Sequence, residues 1–123
     1  MSNEAKFPET TARGATTREA KFRIGQIVRH RVFPFRGVIY DVDPVFDNSD
    51  EWYEAIPHSM RPAKDQPFYH LYAQNESTTY EAYVSEQNLL VDDSDEPLRH
   101  PGVQREFLQD EQGGFRPRRL HTH

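Results

Sequence analysis

Phe68-Tyr69-His70-Leu71-Tyr72-Ala73-Gln74-Asn75-Glu76-Ser77-Thr78-Thr79-Tyr80-Glu81-Ala82-Tyr83-Val84-Ser85 is the stretch that decides the fold. Two aromatic-rich runs flank a polar Gln74-Asn75-Glu76-Ser77 segment, which reads as strand, turn and strand. Side chains alternate along a strand, so Tyr80, Ala82 and Val84 share one face and Glu81 and Tyr83 the other. The period is two rather than 3.6.

The same reading extends in both directions. Upstream, Gln26-Ile27-Val28-Arg29-His30-Arg31 follows Gly25 as a first strand. Phe33-Pro34-Phe35-Arg36-Gly37 is a turn, and Val38-Ile39-Tyr40-Asp41-Val42-Asp43 is a second strand stopped by Pro44. Asn48-Ser49 offers an N-cap for a short helix over 50–56, with acids in its first turn and Pro57 at its end. Residues 57–67 contain Pro57, Pro62 and Pro67 and form a long connection. Downstream, 88–91 makes a short fifth strand and 102–107 a helical turn. The expected fold is all-β: a small SH3-like barrel of about five strands, with a short helix in the long connection.

Composition sharpens this picture. The chain has 123 residues, and only 35% are apolar, against about 45–50% in globular chains when Gly is also counted. Polar tails account for the deficit: residues 1–20 and the Arg-rich 108–123 are expected to be disordered, leaving a domain over 21–107. Such a core supplies only ~3–5 kcal/mol net, so self-association through an exposed aromatic patch is one expected role. Cysteine is absent, which excludes disulfides, thiol nucleophiles and Cys-ligated metals. No apolar run is long enough to cross a bilayer as a helix, and the first 20 residues lack a signal-peptide apolar segment. No membrane partner is expected, and cytoplasm is the expected location.

The net charge is −5, which argues against a dedicated high-affinity duplex binder. Yet the charge is segregated. Residues 21–40 hold Lys21, Arg23, Arg29, Arg31 and Arg36 and no acid, while 41–54 hold six acids and no base. The basic stretch is the candidate nucleic-acid site, with Phe33 and Phe35 available to stack on bases. The competing reading is that Arg29 and Arg31 pair with the acidic segment, and internal neutralisation is favoured. Trp52 and Tyr53 are candidate partner-binding residues, because such side chains dominate interface hot spots. Against that, Trp52 could simply close over the core as a lid.

Catalytic and metal chemistry find little support. Asp65, His70, Ser85 and Glu86 are residue types that catalysis uses, but no spacing assembles a nucleophile with a base. His30, His58, His70 and His100 lack the i, i+4 spacing of a zinc-binding helix. The chain is expected to be non-enzymatic, with no cofactor and no metal.

Several motifs carry a family resemblance. They include Gly25-Gln26-x-Val28-Arg29-His30, Asp41-Val42-Asp43-Pro44-Val45-Phe46 and Glu51-Trp52-Tyr53. Lys64-Asp65-Gln66-Pro67-Phe68-Tyr69-His70-Leu71, Tyr83-Val84-Ser85-Glu86-Gln87-Asn88-Leu89 and Glu96-Pro97-x-Arg99-His100-Pro101 complete the series. Over residues 21–101 the sequence resembles the heat-shock protein HspQ, or YccV-like hemimethylated-DNA-binding, family. The resemblance implies an SH3-like barrel and a non-enzymatic stress-response role. It also implies promotion of degradation of selected or denatured proteins, such as DnaA, by the Lon protease. The alternative it implies is binding of hemimethylated DNA, weak and salt-sensitive on this charge balance.

Overall fold

The computed structural model describes residues 19–94, 96–109 and 114–118. Its main sheet has five antiparallel strands in the order β4-β3-β2-β1-β5. These are β1 (Ile27–His30), β2 (Arg36–Asp43), β3 (Phe68–Gln74), β4 (Thr79–Ser85) and β5 (Leu89–Val91). Two short helices, α1 (Asp50–Glu54) and α2 (Pro101–Glu106), and a ribbon of β6 (Phe107–Gln109) with β7 (Phe115–Pro117) complete the described chain.

The β3–β4 hairpin forms as its alternation predicts, with Phe68 opposite Ser85 and Gln74 opposite Thr79. Asn75 shapes its turn: Oδ1 accepts from the amides of Ser77 and Thr78 at 2.8 and 2.9 Å. Tyr80 and Ala82 pack with Val84 against a core of Val28, Ile39, Tyr69, Leu71, Ala73 and Leu89. Ser49 caps α1, its Oγ accepting from the Trp52 amide at 3.0 Å.

The all-β class is therefore observed, but the sheet is open. Among the described residues no ladder joins β4 to β5. The Glu86 amide bond to the Pro67 carbonyl extends the β3–β4 ladder, and the Arg31 amide bond to the Asn88 carbonyl extends the β1–β5 ladder.

Strand β3 is buried on both faces. Tyr69, Leu71 and Ala73 enter the core just described, while Tyr72 packs on a second cluster with Val38, Val103 and Phe107. That second cluster exists because α2 and β6 cover the opposite face of the sheet. His100 starts α2: Nδ1 accepts from the Gly102 amide at 2.9 Å, and Nε2 donates to the Tyr80 carbonyl at 3.0 Å. Ordered structure thus runs past the expected domain end at 107. Leu108 pairs with Arg116 and Gln109 with Phe115, and Phe115 packs on the second cluster. Of the expected N-terminal tail, all but Glu19 and Ala20 lies outside the described residues, as do His121 and His123.

Candidate interaction surfaces

The basic stretch divides once it folds. Arg36 is committed to structure: Nε and Nη2 lie 2.8 and 2.7 Å from Asp92 Oδ2. Its Nη2 also donates to the Glu96 carbonyl at 2.8 Å and its Nη1 to the Pro97 carbonyl at 3.3 Å. The side chain is 13% exposed, so it pins residues 92–97 and is not presented to a ligand. Arg31 Nε donates to the Gln87 carbonyl and to Asn88 Oδ1, both at 3.1 Å. Arg29 is exposed on β1, opposite Arg36 on one side and Leu90 on the other. Lys21 and Arg23 are exposed, and their amides bond Glu86 and Gln26.

Pairing of Arg29 and Arg31 with the acidic segment is not found among the described residues. The acids there have other partners: Asp43 lies 3.0 Å from His70 and Asp50 lies 3.9 Å from Lys64. The registers explain this. Arg29 faces β2 at its start and the acids lie at its far end and beyond, while Arg31 is held against the β5 side.

An apolar groove of about 420 Å³ opens on one side of the sheet. Its walls are the 31–35 loop, α1 with residues 56–62, and β4. Phe33, Phe35, Trp52, Met60, Tyr80 and Tyr83 supply most of its apolar lining. Val32, Phe33 and Met60 are 58%, 46% and 47% exposed at the rim. The two fixed charges in it are Arg31 and Arg61, and no carboxylate is among the described lining residues.

Trp52 is half-buried. Its ring packs edge-on to Tyr83 at 5.3 Å and against Phe46 at 5.8 Å, yet it also forms part of the groove wall. Tyr53 is a structural pin. Its hydroxyl donates to the Pro62 carbonyl at 2.7 Å, and Lys64 Nζ sits 4.4 Å from the ring centroid. Arg61 closes the excursion, with Nε on the Ile56 carbonyl and Nη2 on the Glu54 carbonyl, each at 2.9 Å.

His30 holds the 31–35 loop that forms one groove wall. Its Nδ1 accepts from the amides of Val32 and Phe33, both at 3.0 Å. Burial and the adjacent Arg31 charge hold its pKa below the ordinary value of 6.5. Protonating Nδ1 would break both bonds. Stability is therefore present above pH 6.5 and declines as pH falls through the lower folded-state pKa. In His30→Asn, Oδ1 replaces Nδ1 as the acceptor. Denaturant melts at pH 7 and pH 5 are expected to differ less in this variant than in the parent, and an equal difference would contradict the assignment.

The residues with catalytic potential do not converge. Ser85 is 2% exposed and its Oγ accepts from Asn88 Nδ2 at 3.3 Å. Glu86, 6% exposed, accepts from the Tyr69 hydroxyl and the Lys21 amide. His70 makes a cross-strand hydrogen bond instead, Nε2 to Asp43 Oδ2. Tyr83 donates to the same oxygen at 2.8 Å, while its own oxygen accepts from the Asp47 amide. A bulge between Ile39 and Asp41 shifts the register so that Asp41 faces His70. Asp41, Asp43 and His70 thereby place possible ligand atoms within 4.8 Å of one another. Sequence spacing missed this trio because it depends on a bulged cross-strand register. Hydrogen bonds within the group already satisfy Asp43, and no further feature of the site singles out an ion.

An open antiparallel β-sheet covered on one face by a helix and a ribbon defines a small all-β domain. Over residues 20–114 the chain matches the model of the YccV-like family, described as hemimethylated DNA-binding protein YccV like, and it belongs to that family. It is also similar to F-box only protein 21. The identity is 31% over 93 residues for the Pongo abelii and Homo sapiens proteins and 30% for the Mus musculus protein. The match takes in 75% of this chain and 14% of those relatives.

Proposed function

We propose that this domain is a non-enzymatic adaptor that binds a protein partner. In the form implied by the family resemblance, it enhances degradation of selected or denatured proteins, such as DnaA, by a Lon-type protease in the cytoplasm. The observation that carries this reading is the exposed aromatic groove beside Trp52. An apolar patch left open to water marks an interaction site. Bringing substrate to protease raises its effective concentration without any catalytic residue in the adaptor. The test is reconstituted degradation of a denatured substrate by purified Lon protease. Adding the full chain is expected to raise substrate turnover, and unchanged turnover would refute the adaptor role.

Family membership supports a second reading, hemimethylated-DNA binding. Lys21, Arg23 and Arg29 are the exposed cations of the basic stretch, whereas Arg36 is already held by Asp92. At a net charge of −5 the affinity is expected to be weak enough that moderate salt abolishes it. Gel shifts with methylated, hemimethylated and unmethylated duplexes test this. Arg29→Glu is expected to reduce binding severalfold, and binding that stays unchanged would clear Arg29 of the role.

A further inference from the structure

We propose that the groove takes an extended peptide segment in which aliphatic or aromatic side chains are flanked by carboxylates, and that Arg31 and Arg61 receive those carboxylates. The inference rests on the protein-partner reading above and specifies what the partner offers.

The first argument is charge. The chain carries 20 acids against 15 Lys and Arg, yet the described lining of this groove holds two arginines and no acid. Both guanidiniums are oriented through neutral groups. Arg31 is held by the Gln87 carbonyl and Asn88 Oδ1, and Arg61 by the carbonyls of Ile56 and Glu54. Among the described residues neither forms an ion pair with a carboxylate. These bonds fix the planar groups while leaving their positive charge uncompensated. A preoriented guanidinium loses less side-chain freedom on binding and suits an oxyanion.

The second argument is shape and polarity. The same lining includes Phe33, Phe35, Trp52 and Met60. Aromatic rings and a methionine accommodate varied apolar side chains. A volume of about 420 Å³ accommodates a few such side chains, and a duplex is far too wide for it. An acidic, apolar segment also satisfies both halves of the lining at once. A polyanionic strand would use the arginines but would bring repeated phosphates to a chain of net charge −5.

Trp52 is the chain's only tryptophan, so its fluorescence reports on the groove directly. The probe is a synthetic peptide with two aspartates flanking leucine and phenylalanine and with no tryptophan. Titrated into the full chain, it is expected to change Trp52 emission saturably. Replacing its aspartates by asparagines is expected to weaken binding about tenfold, the loss of a charge-assisted bond. Arg31→Gln with Arg61→Gln is expected to remove the preference for the acidic peptide. Because those substitutions also touch loop-holding bonds, the asparagine peptide on the unaltered protein is the decisive arm. Equal affinity for the two peptides, no saturable change, or a stronger response to a single-stranded oligonucleotide would each overturn the proposal. Lon stimulation without peptide binding would defeat this inference alone. Peptide binding without stimulation would defeat the adaptor role and leave the groove assignment standing.

Discussion

Tyr69→Ala is expected to destabilise the domain by about 3–5 kcal/mol, the range for deleting a buried aromatic side chain. Domains of this size have only about 5–15 kcal/mol in total, so the variant should lie close to unfolding at ambient temperature. Tyr69 is fully buried at the centre of the main core. Its ring meets Phe22 edge-on, with centroids 5.6 Å apart. Its hydroxyl donates to Glu86 Oε2 at 2.6 Å and accepts from the Phe22 amide at 3.2 Å. Glu86 also accepts from the Lys21 amide at 2.8 Å. One phenol thus joins β3, the turn after β4 and the entry to the fold.

Tyr69→Phe separates packing from hydrogen bonding. It keeps the ring but leaves Glu86 with one fewer donor and the Phe22 amide without its acceptor. The expected cost is about 1–3 kcal/mol for the groups left unsatisfied. Urea midpoints for the two variants measure both quantities, and a Phe variant as stable as the parent would show that the buried carboxylate does not need the hydroxyl. Burial, and then the bond to Glu86, push the Tyr69 pKa up to about 12 from 10. The unfolded chain therefore loses this proton first as pH rises. The stability is fully present below pH 10 and is lost between pH 10 and about 12, and Tyr69→Phe should flatten that alkaline decline.

The β3–β4 hairpin was legible because pattern and turn chemistry are both local. Alternation set the faces of Tyr80, Ala82 and Val84, and the Asn75 turn set the register. The same holds for Ser49 and α1, where the cap and the first-turn acids are neighbours in sequence. What could not be read depends on pairing between distant segments. Arg36 and Asp92 are 56 residues apart, and nothing near Arg36 marks it as a structural cation. Glu86 looked like a surface acid or a catalytic one, because its buried partner Tyr69 is fixed only once β3 and β4 pair. The β6–β7 ribbon was missed because each strand has three residues, too few for a period to show.

The groove illustrates the same limit on the functional side. Trp52 was visible as a candidate, and Phe33 and Phe35 as aromatics near bases. Arg61 was not among the candidate site residues, because it sits in a proline-rich connection away from the basic stretch. Only folding brings the 31–35 loop and residues 56–62 into the lining of one groove. Conversely, the basic stretch looked uniform in sequence because nothing local shows that Asp92 holds Arg36 while its ladder partner Arg29 stays exposed.

Gly37→Val is the second substitution with a large expected effect. Gly37 lies in β2 opposite Val28 of β1 and Ala73 of β3, so it is flanked by strands on both sides. A Cβ at this position would lie 2.5 Å from the Tyr72 carbonyl oxygen and 3.0 Å from the Ala73 Cα. Both are backbone atoms, so no rotamer change relieves the clash. Strand β3 must move away, which strains the ladder on which Tyr69, Leu71 and Ala73 enter the core. Overpacking costs typically about 1–3 kcal/mol, and the second branch of valine should put this variant at or above the upper end. Displacing β2 also shifts the neighbouring Arg36 from Asp92 and moves the 31–35 loop that walls the groove. Gly37→Val is therefore expected to lower the urea midpoint and weaken the peptide response of Trp52, whereas Gly37→Ala should fall between it and the parent. A valine variant with the parent's midpoint would mean that β2 and β3 tolerate a wider separation here than their close approach implies.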